Sequence, residues 1–151
     1  MDLRERIEKG EHNFAEEELE SADLSGLDLT GFYWVNADLS HSDFCRADFT
    51  AVDLSTAELT GAKAREAQFV AADMQSVDAA KADFREADLR GADLSFANLA
   101  GADFREADLR GACLRHANLR GADLRRADAR RVDFYGADIS DAKTKFMRRS
   151  D

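Results

Sequence analysis

The chain lacks several residue types on which particular protein classes depend. It has no proline, which suits long uninterrupted pairing of the backbone. Two cysteines in 151 residues are too few for a disulfide framework, and three histidines leave little material for a metal site or a nucleophilic triad. No apolar run approaches the roughly 18 to 20 residues that a membrane-spanning helix needs. We therefore expect no disulfide, no metal or other cofactor, and no contact with a membrane.

Positive charge is also in short supply. The chain has 31 acidic and 21 basic residues, and its net charge of −10 argues against direct binding of nucleic acid. The imbalance lies in the first half, because residues 1–80 carry a net charge of −12 and residues 81–151 a net charge of +2. The first ten residues lack the apolar stretch of a secretory signal, so the expected location is the cytoplasm.

What the sequence has in abundance is a five-residue repeat. An apolar residue recurs at every fifth position from Leu24 to Ile139 without insertion or deletion, which gives 24 consecutive pentapeptides, and 21 of these residues are large, the exceptions being Ala64, Ala79 and Ala129. We designate this central residue i. Position i−2 is alanine in 18 of the 24 repeats, and position i−1 is most often aspartate or asparagine. Eight of the nine glycines occupy position i+2.

This period excludes an α-helix and predicts a bent, extended chain. Five residues at about 100° each would move the apolar position around the helix by about 140° per repeat. Positions i−2 and i, in contrast, share one face of an extended chain. The alternation then breaks at i+2, where glycine suits the positive φ of a type II turn. Each pentapeptide is therefore predicted to be a very short strand followed by a corner.

A longer repeat fixes the number of corners in each turn of the coil. Residues 82–101 and 102–121 are identical at 16 of 20 positions, so one coil contains four pentapeptides. Adjacent coils should pair as parallel strands about 4.7–4.9 Å apart. The centres then form four columns, which we number as faces: face 1 from Leu24 to Leu124, face 2 from Leu29 to Ala129, face 3 from Trp34 to Phe134 and face 4 from Leu39 to Ile139.

The formula A(D/N)LXX over residues 22–141 resembles the pentapeptide repeat family. The resemblance implies an all-β solenoid, a right-handed quadrilateral parallel β-helix of about six coils, with the side chains at i and i−2 inside. It implies no catalytic activity. The predicted organisation is an N-terminal cap with a short helix and degenerate repeats over 1–21, the β-helix over 22–141, and a C-terminal cap or tail over 142–151.

The predicted core follows from the register. Coil 62–81 is expected to be the least well packed because two of its centres are alanines. The main core residues are expected to be Leu24, Leu29, Trp34, Leu39, Phe44, Phe49, Phe69, Phe84, Leu89, Phe104, Leu109 and Phe134.

Both ends of such a rod would expose apolar centres and unpaired strand edges. Leu3 and Ile7 lie four residues apart in a charged segment, which predicts a short amphipathic helix over the first coil. Phe146 and Met147 could close the opposite end. The alternative for that end is dimerisation, so the chain is expected to be a monomer or a C-terminal homodimer.

The acidic residues at i−1 allow two interpretations. Ladders of carboxylates along a rod could mimic the phosphates of nucleic acid, or the acid could simply belong to the structural formula, which we favour. Mimicry is most credible in the first two coils, because Arg46 is the sole basic residue between positions 10 and 62. The candidate acidic surface comprises Asp23, Asp28, Asp43, Asp48 and Asp53.

Arginines at i+1 form two predicted columns in the second half. They are expected to neutralise the aspartate ladders and to cover the coil surface with their aliphatic stems. The alternative is a binding surface for an acidic partner. The columns are Arg65, Arg85, Arg105 and Arg125 on face 1, and Arg90, Arg110 and Arg130 on face 2.

Face 3 carries the candidate partner-binding residues Phe96, Arg115, His116 and Tyr135. Phe96 is the one phenylalanine that the repeat formula directs into water. An exposed aromatic ring beside a histidine can mark a contact site. The alternative is that these are ordinary isolated exposed side chains.

These features favour a non-enzymatic interaction or scaffold protein with an unidentified protein partner. The sequence offers no phosphate-binding glycine loop, paired-carboxylate cleft or catalytic triad, and a filled rod lacks the concave pocket that catalysis prefers. The alternative is a DNA mimic that modulates DNA gyrase, as implied by the resemblance to the family's quinolone-resistance members.

Overall fold

The computed structural model describes residues 2–150. Within that range it contains one α-helix, α1 (Leu3–Glu8), followed by a regular series of isolated parallel β-bridges. Every bridge joins a residue at i−1 to the residue twenty positions later, from Asn13 with Tyr33 to Asp128 with Arg148. Four pentapeptides therefore complete one turn, and the chain is a repeat β-helix. The ladder extends beyond 22–141 at both ends.

From the repeat centred on Leu59 to that centred on Leu124, each pentapeptide satisfies four of its five backbone N–H groups with backbone carbonyls, and most other repeats share the pattern. The amide of Leu24 donates to the carbonyl of Asp43 in the next coil at 2.8 Å, and that of Gly26 donates to the carbonyl of Cys45 at 2.9 Å. The amide at i−1 donates to the preceding coil, and the amide at i+3 closes the corner by donating to the carbonyl of i. Coils are thus joined along every face.

The fifth amide, at i+1, explains why aspartate and asparagine recur at i−1. In all 19 repeats with Asp or Asn there, from Asp23 to Asp138, the side-chain Oδ1 accepts from this amide. The Ser25 amide, for example, donates to Asp23 at 3.0 Å. A buried or half-buried amide without a partner would be costly, so the recurring acid has a structural role.

Position i+2 adopts positive φ in every repeat, whether or not it is glycine. Gly111 has φ +70°, and His116, in the next pentapeptide, has φ +57°. The same holds for 19 residues that are not glycine. A left-handed conformation costs an L-residue about 1–2 kcal/mol. The fold thus imposes the corner geometry, and glycine relieves its strain at only some corners.

The core lies along the axis of the rod. Eleven of the twelve residues predicted for it are at most 1% exposed. Phe134 departs from the expectation and is half-buried, and Ile139 is 43% exposed. Both belong to the last full coil, where the bridges of Asp133 and Asp138 join only the coil above.

Aromatic rings form a continuous column through the core. It includes coil 62–81, where Ala64 and Ala79 are fully buried and Phe69 contacts an aromatic ring in each neighbouring coil. Successive ring centroids lie 4.8 Å apart for Phe14 and Trp34, 6.3 Å for Trp34 and Phe49, 5.2 Å for Phe49 and Phe69, 5.8 Å for Phe69 and Phe84, and 5.1 Å for Phe84 and Phe104.

Helix α1 packs against the first coil. Asp2 caps the N-terminus of the helix by accepting from the Glu5 amide at 3.2 Å. Leu3 and Ile7 are partly buried against the core, and Leu24, which begins its column, is 0% exposed. The apolar side of the helix therefore faces the core.

Arg6 anchors this helix to the rod. Its guanidinium donates to Glu11 at 2.5 and 2.8 Å and to Glu17 at 2.6 and 2.7 Å, and it lies 4.9 Å from the centroid of the Phe14 ring. These contacts were not foreseen from the sequence.

The opposite end is closed less completely. Met147 is half-buried against the core, but Phe146 is 68% exposed because it occupies an i+2 corner with φ +62°. The expectation that Phe146 closes the rod is therefore wrong. Among residues 2–150 no helix has the length and apolar character required to cross a bilayer.

Candidate functional site

Four side chains predicted for partner binding meet on face 3, and we call them the aromatic edge: Phe96, Arg115, His116 and Tyr135. The rings of Phe96 and His116 stack with centroids 5.1 Å apart and planes inclined by 17°. The Tyr135 ring meets His116 edge to face at 5.5 Å. The guanidinium carbon of Arg115 lies 5.0 Å from the centroid of Tyr135. The structure thus places all four in one continuous cluster.

The repeat explains why these rings meet. Phe96 and His116 occupy the same corner, i+2 of face 3, in consecutive coils, so their side chains leave the rod one above the other. Gly136 occupies that corner in the following coil and leaves room for the His116 ring. Tyr135 stands beside it at i+1, where its amide donates to Asp133 at 2.9 Å.

The side chains of the aromatic edge are exposed to solvent, and they contact one another. Phe96 is 62% and Tyr135 is 66% exposed. Arg115 is held from two sides, by the tyrosine ring and by an ion pair with Asp133 at 3.4 Å. Stacked exposed aromatics next to a fixed guanidinium provide both apolar area and directional charge for a partner.

The predicted acidic surface does not form one surface. Asp23 and Asp43 lie on face 1, Asp28 and Asp48 on face 2, and Asp53 on face 3. Asp23 is moreover paired with Arg4 of helix α1 at 3.3 Å. This contact depends on the docking of the helix, which the repeat register alone does not indicate.

Hydroxyl groups also stabilise two of these carboxylates. The Ser25 hydroxyl donates to Asp23 at 2.6 Å, and the Thr30 hydroxyl donates to Asp28 at 2.7 Å. Each of these hydrogen bonds lowers the pKa of the carboxyl group that accepts it.

A second set of acids, which shares Asp53 with the predicted one, has no ion pair, and we call it the acidic corner. Its six carboxylates lie in two adjacent columns on faces 3 and 4, and none has an ion pair with a residue of the described range 2–150. Apart from Asp53 this grouping was not predicted, although the sequence indicates it: faces 3 and 4 have no arginine at i+1 before Arg115. The members are Asp53, Asp73 and Asp93 on face 3, and Asp38, Glu58 and Asp78 on face 4.

Apart from Arg65, which pairs with Glu86 of the next coil, the arginines of the columns on faces 1 and 2 are paired with the aspartates of their own repeats. Arg130 is typical: its Nε donates to Asp128 Oδ1 at 2.8 Å and its Nη2 to Oδ2 at 2.6 Å. The hydrogen bond from Arg130 lowers the pKa of Asp128 to about 2. This geometry agrees with charge neutralisation of the aspartate ladders.

The rod offers little for covalent chemistry. Among residues 2–150 no group of three or more His, Cys, Asp or Glu side chains could hold a metal ion. Cys45 and Cys113 are free thiols, and burial together with the neighbouring Asp43 raises the pKa of the Cys45 thiol, which lowers its nucleophilic fraction.

Comparison with known families agrees with this architecture. The family of pentapeptide repeats matches the chain in eight copies over residues 22–61, 53–91, 87–126 and 107–143. The chain belongs to the pentapeptide repeat family. No curated protein sequence matches it significantly.

The chain is similar to solved structures of pentapeptide repeat proteins. A protein of the Arabidopsis thaliana thylakoid lumen is 35% identical over 58% of this chain and 64% of its own, with a TM-score of 0.51. HetL of the cyanobacterium Nostoc sp. strain PCC 7120, a protein involved in regulating heterocyst differentiation, is 23% identical over 95% of this chain and 94% of its own, with a TM-score of 0.45. QnrB1, a plasmid-mediated fluoroquinolone resistance protein, is 20% identical over 88% of this chain and 85% of its own, with a TM-score of 0.44.

Proposed function

We propose that this pentapeptide repeat protein is a non-enzymatic binding rod whose protein partner docks on the aromatic edge. The observation that carries the proposal is the solvent-exposed stack of Phe96 on His116, continued by Tyr135 and Arg115. Tyrosine and arginine are among the residues that dominate binding energy at protein interfaces. Apolar area removed from water there contributes about 25 cal/mol per Å² before the costs of association.

The residue types at this edge support the same proposal. Phe96 and His116 have the same positive φ as the other non-glycine corners, so their backbone conformation is that of the repeat. Equivalent corners such as Ser76, Glu86 and Glu106 carry polar or charged side chains. The edge is therefore distinguished by two stacked rings at consecutive corners, and recognition of a partner provides a reason for them.

We propose that the rest of the chain forms the rod that carries the aromatic edge. We infer a right-handed four-sided β-helix over 22–141, a cap over 1–21 held by helix α1, and a short tail over 142–151. The expected partner is a protein rather than nucleic acid or a membrane, the expected location is the cytoplasm, and the rod itself acts as a monomer or a C-terminal homodimer.

Photo-crosslinking in cells of the source organism tests the proposal. A photoreactive amino acid at position 96 should yield a discrete protein adduct, whereas the same group at Ser76, the equivalent corner one coil earlier, should not. Substitution of Tyr135 and Arg115 by serine should abolish the adduct formed from position 96. Equal adducts from positions 76 and 96, or an adduct insensitive to the two substitutions, would contradict the proposal.

A second candidate is a DNA mimic that binds DNA gyrase. The acidic corner favours it, because six unpaired carboxylates repeat along two faces at the spacing of the coils. A supercoiling assay with purified gyrase tests this candidate. The triple variant Asp53→Asn, Asp73→Asn and Asp93→Asn retains the Oδ1 that caps the i+1 amide, as Asn98 does at 3.3 Å, while it removes three charges. Inhibition by the native protein that this variant loses would support mimicry, and no effect of the native protein at micromolar concentration would exclude it.

A further inference from the structure

We propose that an arginine-lined groove on face 2 binds a linear oligophosphate. The groove has a volume of about 570 Å³, and its lining, which we call the arginine groove, consists of Arg90, Arg110, Gly111, Arg130, Arg131 and Ser150. It lies on a different face from the aromatic edge and does not depend on the proposed protein partner.

Three of its guanidinium groups are held in parallel by carboxylates behind them. Arg110 illustrates the arrangement, since its Nε and Nη2 donate to Asp108 at 2.8 and 2.6 Å. The Asp108 side chain is less exposed than that of Arg110, at 30% against 44%. Bidentate pairing fixes the plane of each guanidinium, so little side-chain entropy remains to be lost on binding an anion.

The outer edges of these guanidiniums remain available. Within residues 2–150, no acceptor is bonded to Nη1 of Arg90, Arg110 or Arg130. Arg131 adds a charge at the corner, where its amide donates to the Ser150 hydroxyl at 2.8 Å and its side chain has no ion pair within the described range. The groove is therefore lined by four arginines and no carboxylate, and with the three paired aspartates behind it the local charge is +1.

Face 1 carries a smaller groove whose lining includes an acidic residue: it consists of Arg105, Glu106, Arg125, Arg126, Lys145 and Phe146. Its arginine column has the same pairing, as in Arg105 with Asp103 at 2.6 Å. Its i+2 corners, however, carry Glu66, Glu86 and Glu106, and Arg65 is bonded to Glu86 at 2.6 Å. The corresponding corners of face 2 are Ala71, Gly91 and Gly111, and Arg131 of face 2 corresponds to Arg126 of face 1. Glutamates thus pair with Arg65 and Arg126 on face 1, and no acidic side chain occupies the corresponding corners of face 2.

The spacing of the arginines along the groove indicates the class of ligand. Adjacent coils lie about 4.7–4.9 Å apart, so three guanidiniums span about 10 Å along the rod. A chain of several phosphates can bridge the guanidiniums of successive coils, whereas a single phosphate can contact two of them at most. Arginine forks match phosphate oxygens well. Because the whole chain has a net charge of −10, general attraction cannot explain binding of a polyanion.

Calorimetric titration of the full chain with tripolyphosphate tests the proposal. Gly111→Glu recreates the corner of face 1 and should weaken binding by at least about tenfold. Gly111→Gln is the matched control, because it has the same backbone strain and nearly the same size without the charge, and it should retain most of the affinity. Binding should also weaken as salt increases. No heat of binding to the native chain, or equal weakening by both variants, would overturn the proposal.

Two further comparisons define the site and its ligand. Arg110→Gln should reduce affinity several-fold, while Arg105→Gln, the equivalent change on face 1, should leave it within about twofold. Tighter binding of a nucleoside triphosphate than of tripolyphosphate would identify a nucleotide as the source of the phosphates, and the reverse order would identify inorganic polyphosphate. Equal affinity for a hexaglutamate peptide, or equal effects of the two arginine variants, would overturn the assignment.

Discussion

The ring of His116 fills the space that a side chain at Gly136 would need. A β-carbon added to Gly136 would lie 2.4 Å from Nδ1 of His116, well inside van der Waals contact. The same relationship recurs on face 4, where a β-carbon on Gly61 would lie 2.6 Å from Nδ1 of His41. A glycine one coil below a histidine thus determines where the imidazole can rest.

Gly136→Ala should therefore displace His116 and break its stack on Phe96. Because the obstructing atoms belong to a side chain that can rotate, we expect loss of the stack rather than unfolding. The ring-current shifts of the His116 ring protons in NMR spectra should disappear in this variant.

Gly121→Ala is the matched control for that experiment. Gly121 has φ +66°, close to the +71° of Gly136, but a β-carbon there meets no atom within 4 Å. Both variants should lose about 1 kcal/mol of stability from backbone strain, and only the first should alter the His116 resonances. Unchanged resonances in Gly136→Ala would show that the glycine does not position the ring.

Asp128 should make the free energy of unfolding depend on pH below about pH 4. Its pKa is lowered from an ordinary value of 3.8 to about 2 by the hydrogen bond from Arg130. A carboxyl group with a lower pKa in the folded state stabilises the fold above its unfolded pKa, and this contribution is lost as the pH falls through the folded pKa. The contribution of Asp128 should therefore disappear between about pH 4 and pH 2.

Asp128→Asn isolates this effect because asparagine can still cap the Arg130 amide, as Asn118 caps the Arg120 amide at 3.1 Å. Urea unfolding at a series of pH values should show the variant less stable than the native chain at pH 7 and the two converging near pH 2. A constant difference across this range would contradict the assigned pKa.

The sequence predicts the interior of the rod better than its ends and its surface. The positions of Leu24 to Leu109 in the core follow from the register alone, since each coil constrains the next. The exposure of Phe134 and Phe146 could not be predicted that way, because a repeat pattern does not indicate at which residue the stack of coils ends. The pairing of Asp23 with Arg4 likewise depends on how helix α1 docks.

For surface residues the sequence indicates the position of a side chain but not its contacts. The preference for both Asp and Asn at i−1 indicates a shared Oδ1 acceptor rather than a charge, and the structure shows that acceptor in use. The sequence places Phe96 and His116 on one face because they are twenty residues apart. Their stacking geometry depends on rotamers that the sequence does not specify.

Trp34 should tolerate replacement by phenylalanine better than by alanine. Its side chain is fully buried, and its Nε1 has no hydrogen-bond partner among the described residues. Phenylalanine removes this unpaired donor and keeps the ring near Phe14, so the loss in the free energy of unfolding should stay below about 2 kcal/mol. Alanine should cost about 3–5 kcal/mol. Urea denaturation followed by circular dichroism gives both values, and equal losses would show that the ring contact contributes little.

Arg6→Ala should loosen helix α1 from the first coil. The substitution removes the hydrogen bonds to Glu11 and Glu17 and the contact with Phe14, so the two glutamates would then repel each other. We expect a lower Tm and faster hydrogen exchange at the Leu24 and Leu29 amides. Arg46→Ala, at an exposed arginine that has no ion pair within residues 2–150, is the control and should change neither quantity. Equal behaviour of the two variants would show that the helix is held by its apolar face alone.

The identical bonding of every coil to its neighbours has a consequence for how such a chain can vary over time. Gain or loss of twenty residues changes the length of the rod and preserves the order of its four sides. Gain or loss of a single pentapeptide instead rotates everything downstream by a quarter revolution while each buried centre still points inward. Small tandem duplications can therefore re-aim an entire recognition surface without disturbing the hydrophobic interior.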